Sequence, residues 1–420
     1  MRTRTIGFVF GWAVAAIALS AAPAHVTLLR EAAAAGKAGD PATALAKVEA
    51  AAKVRPDYPR IQINLARLYA ETKRPDDALA ALQRLADMGV AMNAARDPAL
   101  APLQDLPRFQ ALAARLAAAP APVGAVSATR IDGVTGILEG LLVDGPTGAW
   151  YFGDVRNRCI WRRGADGAMQ RFTSDADELD GVFKLVLSPD RKVLWASTAT
   201  VGAMGGAPAP EGSRSALVAL DAGTGRVLAR YPVPTDGRKH LLGDFIFAPD
   251  GSLFATDSFS PVIWRLPPGG TALESWLESD EFINLQGLAF SPNGQTLYVS
   301  DYTNGLWRID PAKHFALLVA PPNATFFGLD GLYAVPSGLL AIQNGVNPQR
   351  VLLIHPSPDT QPSAASVVAA GQPAMVDLSL GAVDGTRFHF IADSGWAIFD
   401  PPPDKAPPPR TVTVDSFTIE

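Results

Sequence analysis

The apolar positions of this chain follow two different periods. Up to about residue 119 they recur at helical spacing. In INLARLYAETKRPDDALAALQRLADMG, residues 63–89, Leu65, Leu68 and Tyr69 mark one face, and Ala78, Leu79, Leu82 and Leu85 mark another, around the turn Lys73-Arg74-Pro75. From about residue 124 the pattern changes to short apolar strands joined by tight turns. LQGLAFSPNGQTLYVSDYTNGLWRID, residues 285–310, reads as strand, turn, strand, turn, strand, and Phe315 to Ala320 supplies a fourth. Related stretches begin at Leu138, Val182, Leu242, Leu329 and Val376. Aligning their first apolar runs places Glu139, Phe183, Gly243, Gln286, Asp330 and Val376 in one register, at intervals of 44, 60, 43, 44 and 46 residues. A four-stranded repeat of this length is a propeller blade. The predicted fold is an all-β six-bladed β-propeller preceded by a small α-helical domain. The long second interval holds VGAMGGAPAPEGSRS, residues 201–215, which reads as a loop. Gly124 to Thr129 and Thr411 to Ile419 remain as two strands, either of which could close the ring.

The helix pair resembles a tetratricopeptide repeat, and Asp40 to Val54 with the helix before it reads as a second, degenerate pair. Such repeats display a groove for a partner segment; the alternative is a cap that packs on the next domain. DPALAPLQDLPRFQALAARL, residues 97–116, predicts a closing helix. AAAPAPVG, residues 117–124, reads as a linker between two separate cores, so the propeller is expected to fold without the helices. At the N-terminal end, Arg2 and Arg4 precede a continuous apolar stretch, Ile6 to Ser20, and then Ala22-Pro23-Ala24. This is the pattern of a cleaved leader. The expected domains are a signal peptide over 1–24, a helical domain over 25–119 and a propeller over 120–420. The mature chain is expected from His25, in the periplasm or secreted. No other segment reaches the ~18 apolar residues of a membrane span.

A net charge of −5 offers no basic footprint for nucleic acid. The histidines are scattered without zinc-ligand spacing. Cys159 is the only cysteine and reads as a small core residue. The chemistry concentrates in the tunnel register. First strands line a propeller's axis, so Glu139, Gln286 and Asp330 bring two carboxylates and an amide oxygen to one end of it. Close carboxylates repel unless one is protonated or a cation lies between them. Oxygen donors suit Ca²⁺ or Mg²⁺; the alternative is a polar, water-filled tunnel. Asp244 and Asp377 fall one place later, where strand alternation points away from this set unless Gly243 lets the backbone bend. Asp154, Asp257, Asp301 and Asp393 each end a second strand. Their repetition reads as a structural task, bonding turn amides. Trp161, Trp264 and Trp307 recur as blade-packing residues.

The motifs LEGLLVD, LQGLAFSPNGQTLYVSD and GLDGLYAV resemble those of the senescence marker protein/gluconolactonase/luciferin-regenerating enzyme family, with a more distant likeness to paraoxonases. The resemblance covers about residues 130–400. It implies a divalent metal on Glu139, Gln286 and Asp330, with glutamine where the family has asparagine and Gly243 at another polar family position. The implied cofactor is a divalent cation, Ca²⁺ first, with Mg²⁺ or Zn²⁺ as alternatives. The implied activity is metal-dependent hydrolysis of lactones or related esters, with Asp330 also acting as a base on water. No Gly-x-Ser-x-Gly elbow supports a covalent route. The competing reading is a non-enzymatic exported binding or scaffold protein with a structural ion. Expected partners are a small molecule at the mouth, over which the 201–215 loop could fold, and a protein at the helices. No nucleic acid and no membrane span after leader removal are expected.

Overall fold

The computed structural model describes residues 23–119, 121–206, 210–359, 361–399 and 407–419. Nearly all of the leader, residues 1–22, lies outside these. The first domain contains α1 (Ala24–Lys37), α2 (Pro41–Val54), α3 (Pro59–Glu71), α4 (Pro75–Asp87) and α5 (Pro107–Ala117). Proline opens α2 to α5, at the helical position where its missing N–H costs nothing. Asp40 caps α2 by accepting from the Thr43 amide at 3.0 Å. The single closing helix expected over 97–116 is divided. A 3₁₀ turn, Pro98–Leu103, precedes α5, because neither Pro102 nor Pro107 can donate within a continuous helix. Ile61, Leu65, Leu82, Leu85, Leu100 and Phe109 fill the helical core. Among the described residues, no helix is long and apolar enough to cross a membrane.

Six four-stranded antiparallel sheets follow, each a propeller blade. The inner strands are Leu138–Asp144, Gly181–Leu187, Leu242–Phe247, Leu285–Phe290, Leu329–Val335 and Gly381–Asp384. Both leftover strands close the ring. Blade six runs outward through Gly381–Asp384, Arg387–Ile391 and Arg410–Thr418 to Ser127–Val134, so the earliest propeller strand pairs with the latest. Val376 is a correction. It is 63% exposed and precedes the inner strand, whereas Leu378 and Leu380 are buried. The run VDLSLGAV therefore enters the blade later than its first valine implies.

The second-strand aspartates are fully buried in three blades and do bond turn amides. Asp301 accepts from the backbone N–H groups of Ile283, Asn284, Thr303 and Asn304 and from the Trp307 indole. Asp257 likewise takes Leu241, Phe259, Ser260 and Trp264, and Asp154 takes Asn157 and Trp161. Each recurring tryptophan is thus tied to its blade's aspartate. Asp393 differs, pairing with Arg410 at 3.1 Å. Cys159 is buried, which pushes its thiol up to about 12 and leaves it inert at neutral pH.

Blade five departs from the aspartate pattern, and there the helical domain docks. Gln343 takes the second-strand position, opposite Leu329 as Asp301 is opposite Leu285. Its amide donates to the carbonyls of Thr325 and Phe327, and its Oε1 accepts from Arg350 Nε at 2.6 Å. Arg350 then donates to the Met88 and Gly89 carbonyls just past α4, each at 3.0 Å. Val346 lies within the helical core, and Phe327 packs edge-on against Tyr58, ring centroids 4.8 Å apart. The linker does not separate two independent cores. They share an interface.

Candidate functional site

In blades one to five a bulge interrupts the inner strand at its start: between Leu138 and Gly140, Val182 and Leu185, Leu242 and Asp244, Leu285 and Leu288, and Leu329 and Leu332. A bulge sets two residues against one, so strict alternation fails there. Glycines make room for it. A Cβ on Gly287 would lie 2.3 Å from the Leu332 nitrogen. One consequence is that Asp244 does not turn away from the tunnel. Its carboxylate meets Lys184 Nζ at 3.2 Å, with both side chains buried. That ammonium also lies 4.8 Å from the Tyr333 ring centroid, on blade five. Blades two, three and five are thereby linked across the axis.

Glu139 and Asp330 lie at the mouth above this link, both buried. Burial pushes Glu139 up to about 8, and the Asp330 charge adds to the shift. The Trp396 indole opposes it by donating to Glu139 Oε2 at 2.5 Å. Burial also raises Asp330, to about 6, against an Asn344 Nδ2 bond of 2.6 Å to its Oδ2; Lys184 offsets the repulsion from Asp244. Gln286 is turned toward the third blade. Its Nε2 donates to Asn284 Oδ1 at 2.8 Å, and its Oε1 faces Ser258 Oγ at 3.4 Å and the space above Gly243. The register thus couples the two carboxylates, while the glutamine is bonded to neighbours on its other side. Among the described residues, no three Asp, Glu, His or Cys side chains gather closely enough to cage a metal unaided.

Four further residues complete this end, three of which the sequence does not single out. Asp377 accepts from Ser394 Oγ at 2.8 Å and from the Gly395 amide at 3.0 Å, fixing the start of the short helix α6 (Trp396–Phe399). Trp396 stacks on Phe183, centroids 6.4 Å apart. Tyr302 is half-buried, with desolvation of its hydroxyl raising the phenol and Asp330, Asp377 and Glu139 adding to that. Asn344 also donates to the Leu378 carbonyl at 2.9 Å. Only Asp377 was visible as a repeat neighbour; nothing in the local pattern marks the other three.

Apolar groups wall the mouth. Val201, Ala203 and Met204 bury themselves with Ile137, Val155, Phe183, Leu241 and Phe399, so the described part of the long loop folds over blades one to three. On the other side Tyr302 meets Phe327, which carries the helical domain. A cleft of about 340 Å³ lies between α3 and the blade-five loop Gly345–Asn347. A larger groove, about 810 Å³, lies at the opposite end of blades one and two, among strand turns such as Asp144 and Arg191, away from the paired carboxylates.

The architecture is therefore a six-bladed propeller with a helical domain seated on the mouth end. Residues 37–90 match the tetratricopeptide repeat family. No curated protein matches the chain. Solved structures with a similar course include a gluconolactonase from Xanthomonas campestris, 15% identical with a TM-score of 0.48, covering 70% of this chain and 91% of that one. A luciferin-regenerating enzyme is 16% identical with a TM-score of 0.47, covering 69% and 95%. Virginiamycin B lyase from Staphylococcus aureus is 14% identical with a TM-score of 0.46, covering 64% and 83%. The blade assignment rests on the six sheets themselves, not on these likenesses.

Proposed function

We propose that this chain is an exported hydrolase of lactones or related esters, working at the propeller mouth with a divalent cation. One observation supports it above others. Two buried carboxylates, Glu139 and Asp330, both hold their protons more tightly than usual at the end of a tunnel, chiefly through burial, and the Asp330 charge raises Glu139 further. Hard oxygen donors left in mutual repulsion fit a cation such as Ca²⁺. Glu139 and Asp330 would hold it, with an amide oxygen beside them. When bound, it would supply polarisation of the substrate carbonyl and charge to balance the carboxylates.

The chain's own groups supply the remainder. Asn344 orients the Asp330 carboxylate, whose proton affinity near neutrality suits a base that takes a proton from water. Trp396 fixes Glu139, and the apolar wall of Phe183, Met204 and Phe399 restricts water. The test is hydrolysis of a lactone panel by the full chain, with and without added Ca²⁺. Glu139→Gln and Asp330→Asn should each lower kcat/KM by roughly a hundredfold or more. N-terminal sequencing of exported material should begin near His25. A chain that takes up the cation yet hydrolyses no lactone would favour the binding-protein reading, which the docked helical domain and the turned-away Gln286 support.

A further inference from the structure

Glu139 and Asp330 belong to blades one and five, so blade six stands between them. Its start is where Asn344 reaches. The Asn344 Nδ2 group donates to Asp330 Oδ2 at 2.6 Å and to the Leu378 carbonyl at 2.9 Å. The next residue, Ser379, donates to the Glu139 carbonyl at 3.0 Å. A carbonyl can only accept, so the nitrogen of the carboxamide must face Leu378 and its orientation is fixed. Asn344 Oδ1 is then buried, with no hydrogen-bond partner, on a side chain bonded to Asp330. Buried amide oxygens are rarely left unpaired. Gln286 contrasts with it. Its carboxamide is turned to the blade-three side, where Nε2 donates to Asn284 Oδ1 at 2.8 Å and Oε1 lies 3.4 Å from Ser258 Oγ, whose own proton goes to the Leu285 carbonyl.

We propose that Asn344 Oδ1, not Gln286 Oε1, is the amide oxygen that joins Glu139 and Asp330 in holding a divalent cation. The inference rests on the cation reading above and changes its donor set. An amide oxygen, held by its own nitrogen against two acceptors, presents a neutral hard ligand in the sector where the carboxylates repel. The glutamine that replaces the family's asparagine is, on this account, a structural residue bridging blades three and four.

The test is calorimetric titration of Ca²⁺ into the chelator-stripped full chain, with melting curves to confirm folding. Asn344→Ala should weaken uptake at least tenfold, and Gln286→Leu should change it less than threefold. Asn344→Asp decides the role by itself. It keeps an oxygen but cannot donate to Leu378, so it should bind at least as tightly as the unaltered chain. A tenfold loss in Asn344→Asp would mean that the nitrogen, not the oxygen, matters, and would overturn the inference. So would Asn344→Ala binding within threefold of the unaltered chain, or Gln286→Leu losing tenfold. If the unaltered chain takes up no Ca²⁺, Mg²⁺ or Zn²⁺, the cation reading itself falls, and that result is distinct from the others.

Discussion

Glu139 links burial to pH. Its carboxyl is held up to about 8 in the fold, against 4.5 for an ordinary glutamate. Between those values the folded state keeps a proton that the unfolded state has lost. Its contribution to stability is therefore complete below 4.5 and declines as pH rises toward 8, by about 1.4 kcal/mol per pH unit. Chelator-treated protein should lose this stability between pH 5 and 8, and Glu139→Gln should lose less, keeping only the decline toward pH 6 that the raised Asp330 produces. His25 runs the other way. Burial pulls it down to about 4 from 6.5, so its contribution is complete above 6.5 and declines as pH falls toward 4. The difference between the Glu139→Gln and unaltered denaturation curves at each pH isolates the glutamate. Parallel curves across pH 5 to 8 would refute the raised proton affinity. Asp301 provides a second test at this scale. Asp301→Ala leaves four backbone amides and an indole without their acceptor, and should cost about 3 kcal/mol or more. Asp393→Ala, which removes a partly exposed ion pair, should cost about 1 kcal/mol or less by urea denaturation.

At the scale of elements, the blade repeat was legible because each blade buries the same face with the same turn chemistry. Glu139 and Asp330 could be placed together because both begin an inner strand and position along the repeat is position along the tunnel. Three things were hidden. The bulges shift register without changing the apolar pattern, so Asp244 looked misdirected. Blade six begins its inner strand late, which put Val376 in the wrong role. Asn344 and α6 act at the mouth from strand ends and loops, where no period exists to align. The Trp396–Glu139 bond makes α6 testable. Trp396→Phe keeps the ring against Phe183 but removes the N–H, so Glu139 should hold its proton still more tightly. The pH-dependent loss of stability in chelator should extend further above pH 8 than in the unaltered chain.

At the scale of the molecule, the joint at Arg350 makes two domains into one body. Burial pulls its guanidinium down to about 10, still charged at neutral pH, and its hydrogen bonds cross to the carbonyls that end α4. Removing residues 25–119 would strip those acceptors and uncover Phe327 and Val346. The 120–420 piece should melt well below the full chain or aggregate, and Arg350→Ala in the full chain should lower stability by about 3 kcal/mol in chemical denaturation. A piece that melts as the intact protein does would show the joint to be incidental.

The ring closure has a consequence for how the protein is made. Ser127 and Ser416 meet across 289 positions of sequence. On the ribosome the helical domain emerges first, and its local contacts can form early. Strand Ser127–Val134 follows at once, yet its partner Arg410–Thr418 is translated after blades one to five. Throughout that interval the nascent propeller is an open arc with an unpaired β-edge, the kind of surface that recruits other chains. Ribosome-stalled chains ending before residue 410 should therefore remain protease-sensitive at 127–134. Slowing translation would lengthen the exposure of that edge, and chaperone demand during synthesis should track the delay before residues 410–418 arrive.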